Sequence, residues 1–164
     1  INNINSYISD IYYEITHKGT LKVVYKSEFK GKTKETILKM FEKNISREIF
    51  LGKSLFGIQH DDFEFKVDNE IVKEFSSVGE QKNSIISFKL AEIKNIETKI
   101  HKKPILILDD LFSELDEEKI NNILNLIDHD LQTFITTTEI TKVDKKLLEN
   151  AKIFHVMDGI VEEE

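Results

Sequence analysis

Four apolar residues, Ile105-Leu106-Ile107-Leu108, run straight into two acids, Asp109-Asp110. An uninterrupted apolar run suits a strand buried on both faces of a parallel sheet. Such a strand tolerates two carboxylates only where they emerge at its C-terminal edge, because an unpaired buried charge is costly. Ligand sites in open α/β sheets lie at that edge. There, a first carboxylate can hold Mg²⁺ directly or through water, and a second can orient or deprotonate an attacking water. The same pair can equally cap a turn after the strand.

A second constellation lies upstream, at Ser76-Ser77-Val78-Gly79-Glu80-Gln81-Lys82. A hydroxyl at a helix start satisfies orphan amides, and glycine lets the backbone approach a ligand closely. A helix N-terminus with amides and a hydroxyl is a natural phosphate site. Ordinary capping accounts for the same residues, since Ser77 and Glu80 are spaced for a capping box. After the acids comes Leu111-Phe112-Ser113-Glu114-Leu115-Asp116, in which Asp116 can serve as N-cap of a following helix.

The elements that must position these residues follow from periodicity. Residues 3 to 15 place Ile4, Ile8, Ile11, Tyr12 and Ile15 at helical spacing, and 33 to 51 do so through Ile37, Met40, Phe41, Ile45 and Ile49. Alternation predicts strands over 20 to 29 and 60 to 67, with Asp68-Asn69 as a hairpin turn and 71 to 75 as the returning strand. Residues 84 to 100 predict a long helix, with a stripe of Ile86, Leu90, Ile93, Ile96 and Ile100. Strand 105 to 108, helix 117 to 131, strand 133 to 137, helix 144 to 150 and strand 153 to 157 then alternate. This order predicts an α/β layer with right-handed crossovers. Asp158-Gly159 turns into a last strand at Ile160-Val161. The expected division is a helical appendage over residues 1 to 55 and an α/β core over 56 to 164.

Bulk composition sets the bounds. With 40% hydrophobic and 32% charged residues, the 164-residue chain is a globular protein with a core, not a disordered one. No apolar run approaches the roughly 18 residues of a membrane span. No signal peptide is expected at the start of the chain, and the absence of an initiator Met suggests a fragment. There is no cysteine, which removes disulfides and thiolate metal sites and fits a reducing cytoplasm. A net charge of −7 argues against nonspecific nucleic-acid binding by the isolated chain. The basic clusters Lys30, Lys32, Lys34 and His101, Lys102, Lys103 read first as solvated loop charges.

Order and spacing join the constellations. A serine-glycine turn, a long helix, an apolar strand ending in two acids and the 111 to 116 string resemble the C-terminal lobe of an ABC-type ATPase head. Within that superfamily they resemble the RecF family. Ser77-Val78-Gly79-Glu80-Gln81-Lys82 is similar to its signature, Ser-x-Gly-Gln-Gln-Arg. Leu108-Asp109-Asp110 continues like its Walker B motif, and Leu111 to Asp116 like its D-loop. Gln132-Thr133-Phe134-Ile135-Thr136-Thr137-Thr138 is similar to the strand that follows.

The resemblance implies ATP and Mg²⁺ as cofactors. It places Asp109 at the metal and Asp110 at the attacking water. Ser77, Gly79, Glu80 and Gln81 would meet the γ-phosphate held by a second head, and Asp116 would cross the dimer interface. Thr137 or Thr138 would stand where other ABC ATPases carry a switch histidine. It further implies an ATP-dependent homodimer acting at gapped or junction DNA, with RecR and RecO as partners in loading RecA. DNA recombination, replication and the SOS response would be its setting, and the cytoplasm its location.

Departures accompany the likeness. Gly57-Ile58-Gln59-His60-Asp61-Asp62 stands where the family carries Gly-Pro-His-Arg-Asp-Asp. Glu80 replaces a Gln, and Lys82 replaces an Arg, which loses bidentate phosphate geometry. No Gly-x-x-x-x-Gly-Lys-Ser/Thr loop occurs. Gly52-Lys53-Ser54 matches its end, but position 47 is Arg47, so this stretch reads as a helix end with a C′ glycine. In the family that loop lies in the N-terminal half. The chain alone is therefore expected to show negligible ATP hydrolysis. The alternatives are a head fragment of another SMC-like or OLD-family ATPase, and a nonenzymatic interaction module whose acids are structural. Coiled-coil heptads or a nuclease domain in the parent gene would mark the first. Failure of nucleotide to protect the complete protein against heating would mark the second.

Overall fold

A computed structural model describes residues 1–110 and 113–163. Helix α1 (Asn2–Thr16) buries the expected stripe of Ile4, Ile8, Ile11, Tyr12 and Ile15. Against it lie α4 (Val78–Ile100), through Ile86, Leu90 and Ala91, and α5 (Glu117–Leu126), through Ile120 and Ile123. Each of these isoleucine and leucine side chains contributes roughly 1.5–3 kcal/mol of transfer free energy. Strand β1 (Leu21–Lys26) adds Leu21 and Val23 to the same core. Its outward edge is closed by the Asn5 amide group. Asn5 Nδ2 donates to the Val23 carbonyl and Oδ1 accepts the Val23 amide, each at 2.9 Å. A side chain that imitates a strand backbone satisfies an otherwise open edge.

Strand β1 pairs antiparallel with β2 (Asp62–Val67), and β2 with β3 (Glu70–Ile71). The β2–β3 turn has Asp68 and Asn69 both at positive φ, 50° and 74°, as a two-residue hairpin requires. The predicted returning strand over 71 to 75 is cut short. Residues Val72–Phe75 form one helical turn, α3, which buries Val72 and leaves Phe75 exposed. That turn aims the chain into α4, which begins at Val78 rather than at residue 84.

Helix α2 (Lys34–Leu51) forms as expected, but none of its residues is fully buried. Phe41 holds it through ring contacts with Phe29 and Phe56, while Ile45, Ile49 and Phe50 face solvent. Gly52 stops the helix in the left-handed conformation, φ 63°. The Gly52 and Lys53 amides donate to the Ile49 and Glu48 carbonyls. This is the bond pair of a Schellman stop, so Gly52-Lys53-Ser54 is a helix terminus and not a phosphate loop.

Strand β4 (Leu106–Leu108) pairs in parallel with β5 (Thr133–Ile135), with α5 as the crossover between them. The chain is thus α/β with a parallel pair and flanking helices. One face of the pair is open. Leu106 and Leu108 are buried, but Ile105 and Ile107 are 60% and 68% exposed, and Phe134 shares that exposure. Burial of β4 on both faces, expected from its apolar run, does not occur within this chain. After α6 (Lys145–Leu148), β6 (Phe154–Met157) does not join the parallel pair. It forms a hairpin with β7 (Ile160–Glu163) through the Asp158-Gly159 turn. No helix among the described residues is long and apolar enough to cross a membrane.

Candidate functional site: an acid turn against a helix start

Asp109 and Asp110 leave the C-terminal end of β4, and both are exposed. Asp110 adopts φ 50°, a left-handed conformation that a short polar side chain tolerates. The register pairs Leu108 with Ile135 and so sets Thr136 beside the acids. Its hydroxyl donates to Asp109 Oδ1 and accepts the Asp110 amide at 3.0 Å. On the other side of the turn, Ser113 Oγ donates to Asp110 Oδ2 at 2.7 Å. Each carboxylate thus has one oxygen fixed by a neighbouring hydroxyl. Leu111 and Phe112, part of the D-loop-like string, lie outside the described residues.

Helix α4 starts on a complete capping box. Ser77 Oγ accepts the Glu80 amide at 3.3 Å, and Glu80 Oε2 accepts the Ser77 amide at 3.1 Å. The Ser77 hydroxyl is exposed and already engaged with Glu80. Lys18 reaches Glu80 Oε1 at 2.9 Å. The Lys18 ammonium, then the Ser77 amide, hold the Glu80 carboxyl below its usual range. Gln81 turns its amide group back to the Ser76 carbonyl, 3.1 Å away. Gly79 is where the backbone comes close. A Cβ there would stand 3.3 Å from the Glu114 carbonyl oxygen. The close approach that the glycine permits within this chain is therefore to the segment following the acids.

Asp116 caps α5, accepting the Lys119 amide at 2.9 Å and pairing with the Lys119 ammonium. Those two contacts hold its carboxyl below the usual range. Of the threonines, Thr137 accepts the Glu139 amide at 2.9 Å and Thr138 is exposed. Thr136 is the one that touches both acids, and periodicity gave no reason to choose it. The signal that finds it is the parallel register. In the altered loop, Gln59 Nε2 donates to the Phe56 carbonyl and His60 Nε2 lies against the Ser54 carbonyl, each at 3.0 Å.

Lys82, which stands where the family carries an Arg, reaches to the acid turn. Its ammonium donates to the Asp110 carbonyl at 2.9 Å, the Ser113 carbonyl at 2.9 Å and Ser113 Oγ at 2.5 Å. The helix start and the acid turn are therefore one unit. Among the described residues no group of three His, Cys, Asp or Glu could hold a metal. A hard cation that takes one carboxylate, waters and substrate phosphates needs no such cage, and Asp109 offers the oxygen chemistry for it. Two open clefts, of about 410 and 370 Å³, lie elsewhere, one beside Tyr25 and Asp61 and one beside His17 and Asn122. Neither contains an acid of the turn. Asp109 and Asp110 lie on an exposed edge of the chain.

Over 149 residues, 91% of its length, the chain is 38% identical to the DNA replication and repair protein RecF of Bacillus cereus (strain G9842). The same figures relate it to RecF of Bacillus mycoides (strain KBAB4). It spans 40% of the length of these relatives. No family model matches. The fold is similar to that of a solved structure of the recombination mediator protein RecF-ATPrS in the RecFOR pathway. The TM-score is 0.70 at 24% identity, covering 99% of this chain and 44% of that one. An Smc head bound to the C-winged helix domain of ScpA gives 0.57 at 16% identity, covering 99% and 42%. At such identities these structures speak to the fold alone.

Proposed function

Because the chain belongs, over the stretch it spans, to the RecF family of DNA replication and repair proteins, we propose that it supplies the acid turn and the signature helix of a DNA-repair ATPase that closes on ATP as a dimer. The observation that carries this reading is the juxtaposition of two elements. Two exposed acids at the C-terminal end of β4 and the capped start of α4 are bonded into one surface.

In this mechanism the helix start faces nucleotide held by a second head, where amides and the Ser77 hydroxyl meet the γ-phosphate. Asp110 orients the attacking water. Asp109, steadied by Thr136, would hold Mg²⁺, whose charge offsets that on the phosphates. A carboxylate at Glu80 repels phosphate, and its pairing with Lys18 offsets part of that repulsion. Residues 56 to 164 act as the ATPase subdomain. Within residues 1 to 55, α2 is the portion that reaches into a helical second lobe. Nucleotide contacts made only in the closed state drive dimerisation, and hydrolysis releases it. Binding at gapped or junction DNA in the cytoplasm and RecA loading with RecO and RecR complete the reading.

The test is Asp110→Asn in the complete protein that carries this chain. The variant is expected to keep ATP-dependent dimers, seen by analytical ultracentrifugation, while turnover falls by roughly a hundredfold or more. Unchanged turnover removes Asp110 from the mechanism.

A further inference from the structure

Lys82 is the fifth residue of α4 and lies one helical turn beyond Val78, so it moves with the helix start. An ammonium has three donors, and here each has an acceptor on the acid turn: the Asp110 carbonyl, the Ser113 carbonyl and Ser113 Oγ. Ser113 Oγ passes the constraint on, donating to Asp110 Oδ2 at 2.7 Å. The turn needs such support. Asp110 and Glu114 both sit at positive φ, 50° and 64°, which costs energy for residues with a Cβ. Lys82 is half-buried, which strengthens its hydrogen bonds relative to bulk water.

We infer that Lys82 is a positioning residue that clamps the acid turn to the start of α4 and, through Ser113, holds the Asp110 carboxylate in one orientation relative to that helix start. The inference deepens the ATPase reading and rests on it for its functional consequence. Lys82 gives its three donors to the turn and has none left for substrate. It acts through Ser113 on Asp110, and the close passage of Gly79 along the Glu114 carbonyl makes the joint stiff. A displacement at Ser77 or Gly79 is thereby carried to the acid of the same chain.

The experiment uses the complete protein with Lys82→Met, which keeps an unbranched stem of similar length, and Lys82→Arg, which keeps a cation with several donors. Amide hydrogen exchange is measured at residues 109, 110 and 113 to 115, with kcat and KM for ATP and nucleotide-dependent dimerisation alongside. Lys82→Met is expected to speed exchange selectively at the turn and to lower kcat by roughly ten- to a hundredfold. KM and dimerisation should stay within about twofold, and Lys82→Arg should recover most of the loss. Unchanged exchange at the turn overturns the clamp. So does exchange that rises equally throughout α4 and β4, which marks a merely structural lysine. If the unsubstituted protein neither binds nor turns over ATP, the ATPase reading fails by itself, and the exchange measurement still decides the clamp.

Discussion

Thr136 and Asp109 are joined across the parallel pair: the threonine hydroxyl at the end of β5 donates to Oδ1 of the aspartate at the end of β4. The same hydroxyl oxygen accepts the Asp110 amide at 3.0 Å. One side chain thus fixes the first acid's carboxylate and the second acid's backbone. The backbone makes the arrangement possible, since the Thr136 amide itself donates to the Leu108 carbonyl at 3.0 Å.

Replacing that hydroxyl should therefore cost activity rather than stability. Thr136→Val in the complete protein is expected to lower kcat by roughly tenfold or more, because small misplacements of reacting groups are expensive. Thr136→Ser should retain most of the turnover. The thermal midpoint should move little, since Thr136 is exposed and water can replace the lost partner. Steady-state hydrolysis over a range of ATP concentrations checks this. Full turnover by the valine variant would show the hydroxyl to be incidental.

Acid should loosen the helix starts. The Glu80 carboxyl is held low by Lys18 and then the Ser77 amide, and the Asp116 carboxyl by the Lys119 ammonium and then its amide. A carboxylate with a depressed folded pKa contributes stability that is fully present above its unfolded value, about 3.9 for Asp and 4.3 for Glu. That contribution is lost as pH falls through the folded value. Thermal midpoints measured downward from pH 6 should fall below about pH 4.3, and less steeply for Glu80→Gln. Parallel curves for the two proteins would remove Glu80 from the acid response.

The open face of β4–β5 makes an asymmetric prediction. Ile105, Ile107 and Phe134 form an apolar patch of the sort that invites association, and the chain spans 40% of its relatives' length. Ile107→Lys should leave the thermal midpoint of the 164-residue chain nearly unchanged and reduce its self-association in light scattering. In the complete protein the same substitution should destabilise, because a lysine would be buried where isoleucine packs. Equal tolerance in both contexts would mean that this face stays wet.

Local pattern carried much of this molecule. The α1 stripe specified which face is buried, residue by residue, because a 3.6-residue period admits one solution. Asp68-Asn69 and Asp158-Gly159 announced their hairpins because few residue pairs adopt successive positive φ. The capping box at Ser77 and Glu80, the cap at Asp116 and the stop at Gly52 were readable because each depends on neighbours within a few positions. The acids were legible at the end of their strand for the same reason.

Tertiary structure decided the rest. Which threonine of the Thr136 to Thr138 run meets the acids depends on the β4–β5 register. That Lys82 bonds the acid turn depends on how α4 lies across it, and that β6 stays apart from β5 is likewise a matter of the assembled sheets. Nothing local encodes a distance between residues 28 or 31 positions apart. The exposed face of β4 shows the converse. The sequence by itself determined an apolar strand, but whether both faces are covered was decided by how much chain surrounds it, because burial belongs to the assembled core and not to the residue.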